Sequence, residues 1–216
     1  MTPPELALIV GAGSGLSGSL ARLCAAEGMR VALAARDTDK LKGFSAALHR
    51  CDATQLSDVR RLFEEVGTPD LVVYNPSYRV RGPILSLDPE EVRRTLTVTA
   101  YGGFLVAQAA AKRMLERGRG SLFFTGASAS VKGYAESAPF AMGKFALRGL
   151  AQSAARELGP RGIHVAHFVI DGGIGRNADD TKLHPDAIAR TYLDVHRQHR
   201  SAWSFEVDLR PWSEKF

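Results

Sequence analysis

The stretch Leu6–Leu23, LALIVGAGSGLSGSLARL, decides the fold. Its first five residues, Leu6 to Val10, are all apolar, as in a parallel strand buried on both faces. Gly11, Gly13 and Gly15 follow, and then Leu16, Leu20 and Leu23 recur at helical spacing. A glycine turn between strand and helix lets backbone approach a pyrophosphate, and the helix N-terminus offers unpaired N–H groups and a favourable dipole. Glycines alone mark only a tight turn; the strand before them and the helix after them make a dinucleotide fingerprint. Gly11, Gly13, Ser14, Gly15 and Leu16 are therefore candidate cofactor-binding positions.

Outward from this unit, Arg30–Ala34 reads as a second strand ending at Ala35-Arg36-Asp37, where a bound ribose 2′-position is read. An acidic residue there accepts from a 2′-hydroxyl, whereas Arg36 suits a 2′-phosphate and favours NADP, with NAD left open by Asp37. Asp39 to Leu48 has a short helical pattern, leaving only His49–Cys51 for a third strand. Either this edge is trimmed or a stretch of chain is absent. Leu56–Val66 carries an amphipathic stripe, and Leu71–Tyr74 is a fourth strand ending in Asn75-Pro76-Ser77.

Asp88-Pro89-Glu90-Glu91 starts a helix: Asp at the N-cap, Pro at the first position, Glu three after the cap. The pattern runs toward Glu116 with Gly102-Gly103 inside it, and close packing is the expected reason for glycines costing ~1 kcal/mol each. Ser121–Thr125 reads as a fifth strand, Ser137–Leu158 as a long helix stopped by Gly159-Pro160, and Ile163–Ile170 as a sixth strand closed by Asp171-Gly172-Gly173. Pro185–His199 is helical, and Phe205–Leu209 alternates like a final edge strand. Alternating strands and helices predict one doubly wound α/β domain over residues 1–216, with a mostly parallel sheet of six to seven strands and a ligand at the carboxyl ends of the strands.

Composition narrows the function classes. The 216 residues suit one sizeable core, and no apolar run approaches a membrane span. The N-terminus lacks a charged segment followed by an apolar run, so no signal peptide is expected. The net charge of +5 is interleaved with acidic residues, a solvated surface and not a nucleic-acid patch. Cys24 and Cys51 lack metal-ligand spacing and point to a reduced, cytoplasmic setting. His184, His196 and His199 have no carboxylate or cysteine partner at ligand spacing, and His164 and His167 read as buried sheet residues, so no metal is expected. Arg176, Arg197 and Arg200 invite an anionic substrate, which scattered surface arginines explain equally well.

Taken together, these residues resemble the short-chain dehydrogenase/reductase family over nearly the whole chain. The family's glycine motif appears as Val10-Gly11-Ala12-Gly13-Ser14-Gly15-Leu16-Ser17, with Val10 for its threonine and Ser17 for its last glycine. The resemblance implies that Asp52 and Ala53 meet adenine, and that Asn75, Pro76 and Ser77 line the adenine ribose. Gly172 and Ile174 fall in the segment after the sixth strand, where Asp171 replaces a proline. Phe140-Ala141-Met142-Gly143-Lys144 stands for the family's YxxxK, which assigns Lys144 to the nicotinamide ribose.

The departures carry chemical weight. Phe140 has no proton to transfer in place of the family's tyrosine. Counting back from Phe140 at the family's serine-to-tyrosine spacing lands on Ala127, one residue before Ser128, and Thr99 stands for the helix asparagine. Of four catalytic positions only Lys144 keeps its type. Three readings follow: a carbonyl reductase or alcohol dehydrogenase with an altered relay, a catalytically inactive cofactor-binding sensor or subunit, or an oligomeric scaffold. In the first, Ser128 or Ser130 polarises the carbonyl and Tyr134 or water delivers the proton; the plain alternative is loop hydrogen bonding for the serines and a pocket-wall role for Tyr134. The family pairs its two long helices between subunits, so a homodimer or homotetramer is expected through Asp88–Glu116 and Ser137–Leu158.

Overall fold

The computed structural model describes residues 3–177 and 179–214. Seven strands form one all-parallel sheet in the order β3-β2-β1-β4-β5-β6-β7. They are β1 (Leu6–Val10), β2 (Arg30–Ala35), β3 (Ala47–Arg50), β4 (Leu71–Tyr74), β5 (Gly120–Thr125), β6 (Ile163–Ile170) and β7 (Glu206–Leu209). β1, β4 and β6 are buried at every residue, which is why β1 and β4 are unbroken apolar runs and β6 is interrupted only by His164 and His167.

Alternation within the strands assigns the two faces. Leu8, Val10, Val72, Tyr74, Leu122 and Phe124 pack against α2 (Leu56–Val66), α4 (Gly102–Arg117) and α5 (Ala138–Leu158). Ile9, Leu71, Val73, Phe123 and Phe168 face the other way, onto α1 (Leu16–Ala26) and α6 (Pro185–His196). The strand order reverses between β1 and β4, so a crevice opens at their carboxyl ends.

Four expectations are revised. The helical pattern over Asp39–Leu48 yields only a 3₁₀ turn at Asp39–Leu41, and β3 begins at Ala47, so the third strand is complete and the edge is trimmed of its helix. Lys42 is extended and Gly43 has φ +107°, which ends the turn, and Phe44 is drawn onto α1 instead. A Cβ on Gly18 would lie 2.9 Å from the Phe44 ring, so Gly18 gives the close approach that the family assigns to its last glycine, leaving Ser17 free for other work.

The helix expected from Asp88 toward Glu116 is in two pieces, α3 (Pro89–Leu96) and α4, joined by a π-helical segment at Thr97–Tyr101. Its start follows expectation, with Asp88 accepting the Glu90 N–H at 2.9 Å. Gly102 and Gly103 are packing glycines: a Cβ would meet Tyr74 Oη at 2.6 Å and Leu147 Cδ1 at 2.7 Å, respectively. Finally, α6 ends at His196 and a 3₁₀ turn follows at Arg200–Ala202, and β7 begins at Glu206.

Candidate functional site

The crevice at the switch point is a cleft of about 290 Å³. Its wall begins at Gly11, whose φ of +79° and distance of 2.6 Å between a built Cβ and Pro76 N admit no side chain. The turn is anchored by Ala34 O, which accepts from both Gly11 N and Ala12 N. Ser17 is buried, donates to Gly11 O at 3.3 Å and accepts from Asn75 Nδ2 at 2.8 Å. The serine at the family's glycine position thus ties the turn to the end of β4.

The glycine turn fits an anion on physical grounds. No side chain caps α1, its first turn holds no acidic residue, and open space surrounds Gly13 and Gly15 where a Cβ would stand. Free N–H groups and the positive helix end face that space. Gly11, Arg36, Asp52, Ala53, Asn75, Pro76 and Ser77 all line the cleft, so the fold gathers these sequence-predicted residues from four strand ends. Asp52 is held by its own turn: its Oδ1 accepts from Thr54 N and Oγ1, while its N–H donates to Asp58. That N–H holds the Asp58 carboxyl below the usual carboxylate range.

Lys40 also lines the cleft, four residues beyond Arg36, and sequence reasoning missed it. Its segment, Asp39–Leu48, reads as a helix from sequence, which gives no sign that Lys40 faces the cleft. Asp37 does not line the cleft; its Oδ1 accepts the Asp39 N–H at 2.9 Å.

Lys144, Ser128, Gly172 and Ile174 lie outside this cleft, as do Gly13, Ser14, Gly15 and Leu16. Lys144 is buried at the base of the neighbouring region, where its Nζ donates to Thr125 O at 2.7 Å. Burial pushes its pKa down to about 8. Phe140 lies one turn earlier on α5, with the Lys144 ammonium 5.8 Å from its ring centroid. The Arg79 guanidinium, from the loop after β4, lies 5.0 Å from the same ring. Ser128 starts the 3₁₀ turn after β5; it is half-buried, and its hydroxyl makes no hydrogen bond among the described residues. Ser130 is committed, accepting the Ala127 N–H at 3.1 Å.

Thr99 is fully buried in the π-helical segment, touching the Tyr78 N–H at 3.4 Å and lying where a Cβ on Gly143 would contact it. Such segments recur at functional sites because one extra residue per turn re-aims a side chain. At the end of β6, buried Asp171 pairs with Lys132 at 3.7 Å and Arg210 at 3.4 Å. Gly172 follows, packed on Pro211, and Ile174 is partly exposed beside Leu183. Tyr134 is exposed.

Below Lys144, His167 is fully buried with Nδ1 3.0 Å from Glu206, and Nε2 has no partner. Burial pushes it down to about 4, against the opposing pull of Glu206. Two of the three arginines singled out from sequence are accounted for by ion pairs: Arg176 binds Asp186, and Arg197 binds Glu27. Arg200 lines a hollow with Glu5 and Asp70, the residues that flank the start of β1 and β4.

Comparisons with known proteins agree with this geometry. The family model described as short chain dehydrogenase matches residues 5–178. The chain is 35% identical over 180 residues to a (3R)-3-hydroxyacyl-CoA dehydrogenase of Mus musculus, covering 73% of this chain and 70% of that protein. It is 26% identical to an uncharacterized oxidoreductase of Staphylococcus aureus (strain N315), covering 96% and 97%. A short-chain dehydrogenase from Rhodopseudomonas palustris superposes with a TM-score of 0.85 at 31% identity, covering 97% of this chain and 100% of that one. A metagenomic short-chain oxidoreductase solved in complex with NADP superposes at 0.84 with 25% identity, covering 97% and 98%. The chain belongs to the short-chain dehydrogenase family.

Proposed function

We propose that this chain is an NADP(H)-dependent oxidoreductase that interconverts a carbonyl and an alcohol through an altered proton relay. The observation that carries the cofactor choice is the pairing of Arg36 with Lys40 on the cleft wall while Asp37 is turned into its own loop. Two cations suit a 2′-phosphate, and the carboxylate that would accept from a 2′-hydroxyl is engaged elsewhere. Gly11, Gly13, Ser14, Gly15 and Leu16 hold the pyrophosphate, Asp52 and Ala53 the adenine, and Asn75, Pro76 and Ser77 its ribose. Lys144, Gly172 and Ile174 serve the nicotinamide end. The relative solved with NADP supports this assignment.

NADP(H), when bound, supplies or takes up the hydride. Lys144 orients the reacting end and holds positive charge beside it. Ser128 is free to donate to a carbonyl oxygen, one residue from Ala127 at the family's serine position. Phe140 transfers no proton, so the proton is exchanged with water, the step in which a missing general acid costs about 10²–10⁴-fold. We also infer a homodimer or homotetramer: Phe104 on α4 and Phe145 on α5 are each 43% exposed on the long-helix face. A cytoplasmic setting fits Cys24 and Cys51, both free and buried.

A thermal-shift titration tests the reading. NADPH is expected to raise the melting temperature by several degrees, more than NADH at equal concentration, since binding at 100 times Kd contributes about 2.7 kcal/mol. No shift with either at millimolar concentration would overturn it.

A further inference from the structure

Most of the cations around this half of the crevice are already paired. Arg93 and Arg94 pair with Glu90 and Glu91, Arg148 pairs with Glu206, and Lys132 and Arg210 share Asp171. Arg79 is exposed, makes no ion pair among the described residues, and stacks on the Phe140 ring at 5.0 Å. An exposed cation over a half-buried ring gains only about 0.5–1 kcal/mol, so the guanidinium keeps most of its capacity for an anion.

The loop that carries Arg79 is fixed on both sides. Tyr78 donates its hydroxyl hydrogen to Glu91 at 2.6 Å, and its ring lies under the Arg94 guanidinium at 4.4 Å. Its backbone N–H meets Thr99 Oγ1, and Gly82 N donates to Glu136 O at 3.0 Å just before α5. Arg79 is thereby held over Phe140, the residue at the family's tyrosine position. The carboxylate at the end of β6, Asp171, is already shared by two cations. The site therefore joins an apolar ring to two cations, Arg79 and Lys144, neither of which makes an ion pair among the described residues.

We propose that Arg79 is the specificity residue of this site and selects carbonyl substrates that carry a carboxylate, that is, oxo acids and the corresponding hydroxy acids. This rests on the oxidoreductase reading above. The guanidinium fork matches a carboxylate with two parallel hydrogen bonds, while the Phe140 ring packs the carbon chain. Arg79 moves no proton, because its guanidinium stays charged throughout. It positions the substrate and leaves hydride transfer to the cofactor.

The test is calorimetric titration of the NADP⁺-loaded protein with 2-oxobutanoate, 3-oxobutanoate and 4-oxopentanoate, each paired with its methyl ester. At least one acid is expected to bind about tenfold or more tighter than its ester, as a charge-assisted bidentate pair requires. Arg79→Met should bring that acid to within about twofold of its ester while ester and NADP⁺ affinities hold, and Arg79→Lys should retain part of the preference. Equal binding of every acid and its ester, no binding of any of the six, or an acid preference that survives Arg79→Met overturns the proposal. Absence of NADP⁺ binding would instead overturn the cofactor reading, and the same ligand pairs on cofactor-free protein would still decide the role of Arg79.

Discussion

The two halves of the crevice have diverged differently from the family pattern. The half formed by β1, β2, β3 and β4 keeps its parts: Gly11 at the start of the glycine turn, Arg36, Asp52 and Asn75 converge on one cleft. Of the two replacements in its glycine motif, Val10 is buried in β1 and Ser17 is absorbed by bonding Gly11 and Asn75. The half formed by β5, β6 and α5 has Phe140, Ala127 and Thr99 where tyrosine, serine and asparagine are expected, and keeps Lys144. Binding rests on backbone shape, which many side chains tolerate. Proton transfer needs one hydroxyl at one place, and a benzene ring does not provide it. A chain can therefore keep the cofactor cradle whole while its relay is rebuilt.

Restoring the relay is the strongest way to break the contrast. Phe140→Tyr, together with Ala127→Ser, should raise NADPH oxidation with an accepted carbonyl by about 10³-fold, the middle of the range for a general acid, with NADPH affinity unchanged. Steady-state kinetics on a panel of carbonyls reads this out. A silent variant that still binds NADPH would mean that the second half is rebuilt beyond its hydroxyls.

The next effect separates the halves by stability. His167 lies under the catalytic half, facing Glu206, Lys144 and Arg148, and titrates near 4 when folded against 6.5 in the unfolded chain. Between those values the unfolded chain binds more protons, so folding stability rises with pH across the window and is lost on acidification. The difference corresponds to about 3 kcal/mol. Denaturant melts from pH 7 to pH 4 should show it, and His167→Gln should flatten the curve in that range. An unchanged curve in the variant would place the acid sensitivity elsewhere.

The smallest effect sharpens the account of the cradle. Arg36→Ala should cost about tenfold in NADPH affinity, roughly 1.4 kcal/mol, and leave NADH nearly untouched. Fluorescence titration with the two cofactors measures it; an equal loss for both would show that Arg36 stacks on adenine and does not read the 2′-phosphate.

Much of the fold was legible because burial imposes local patterns. Leu6–Val10, Leu71–Tyr74 and Ile163–Ile170 have the bounds expected from their apolar runs, and α2 has those expected from its stripe. Asp39–Leu48 misled because its helical spacing is outweighed by Gly43 and by the fit of Phe44 against Gly18, a contact between residues far apart in sequence. The site followed the same division. Residues in motifs could be proposed from sequence; Lys40, inside a misread helical pattern, and Arg79, in an unpatterned loop, could not.

The sequence by itself determined the parallel doubly wound sheet, the glycine turn and the loss of the tyrosine hydroxyl, since these depend on residue type and on periodicity along one segment. The tertiary structure decided which side chains face the crevice: Asp37 bonded into its own loop, Arg36 and Lys40 on the cleft wall, Arg79 laid over Phe140, and His167 buried beside Glu206. Strand and helix periodicity fixes direction only within an element. A loop side chain points where long-range packing and hydrogen bonds leave it room, and those partners are set only when the whole chain is folded.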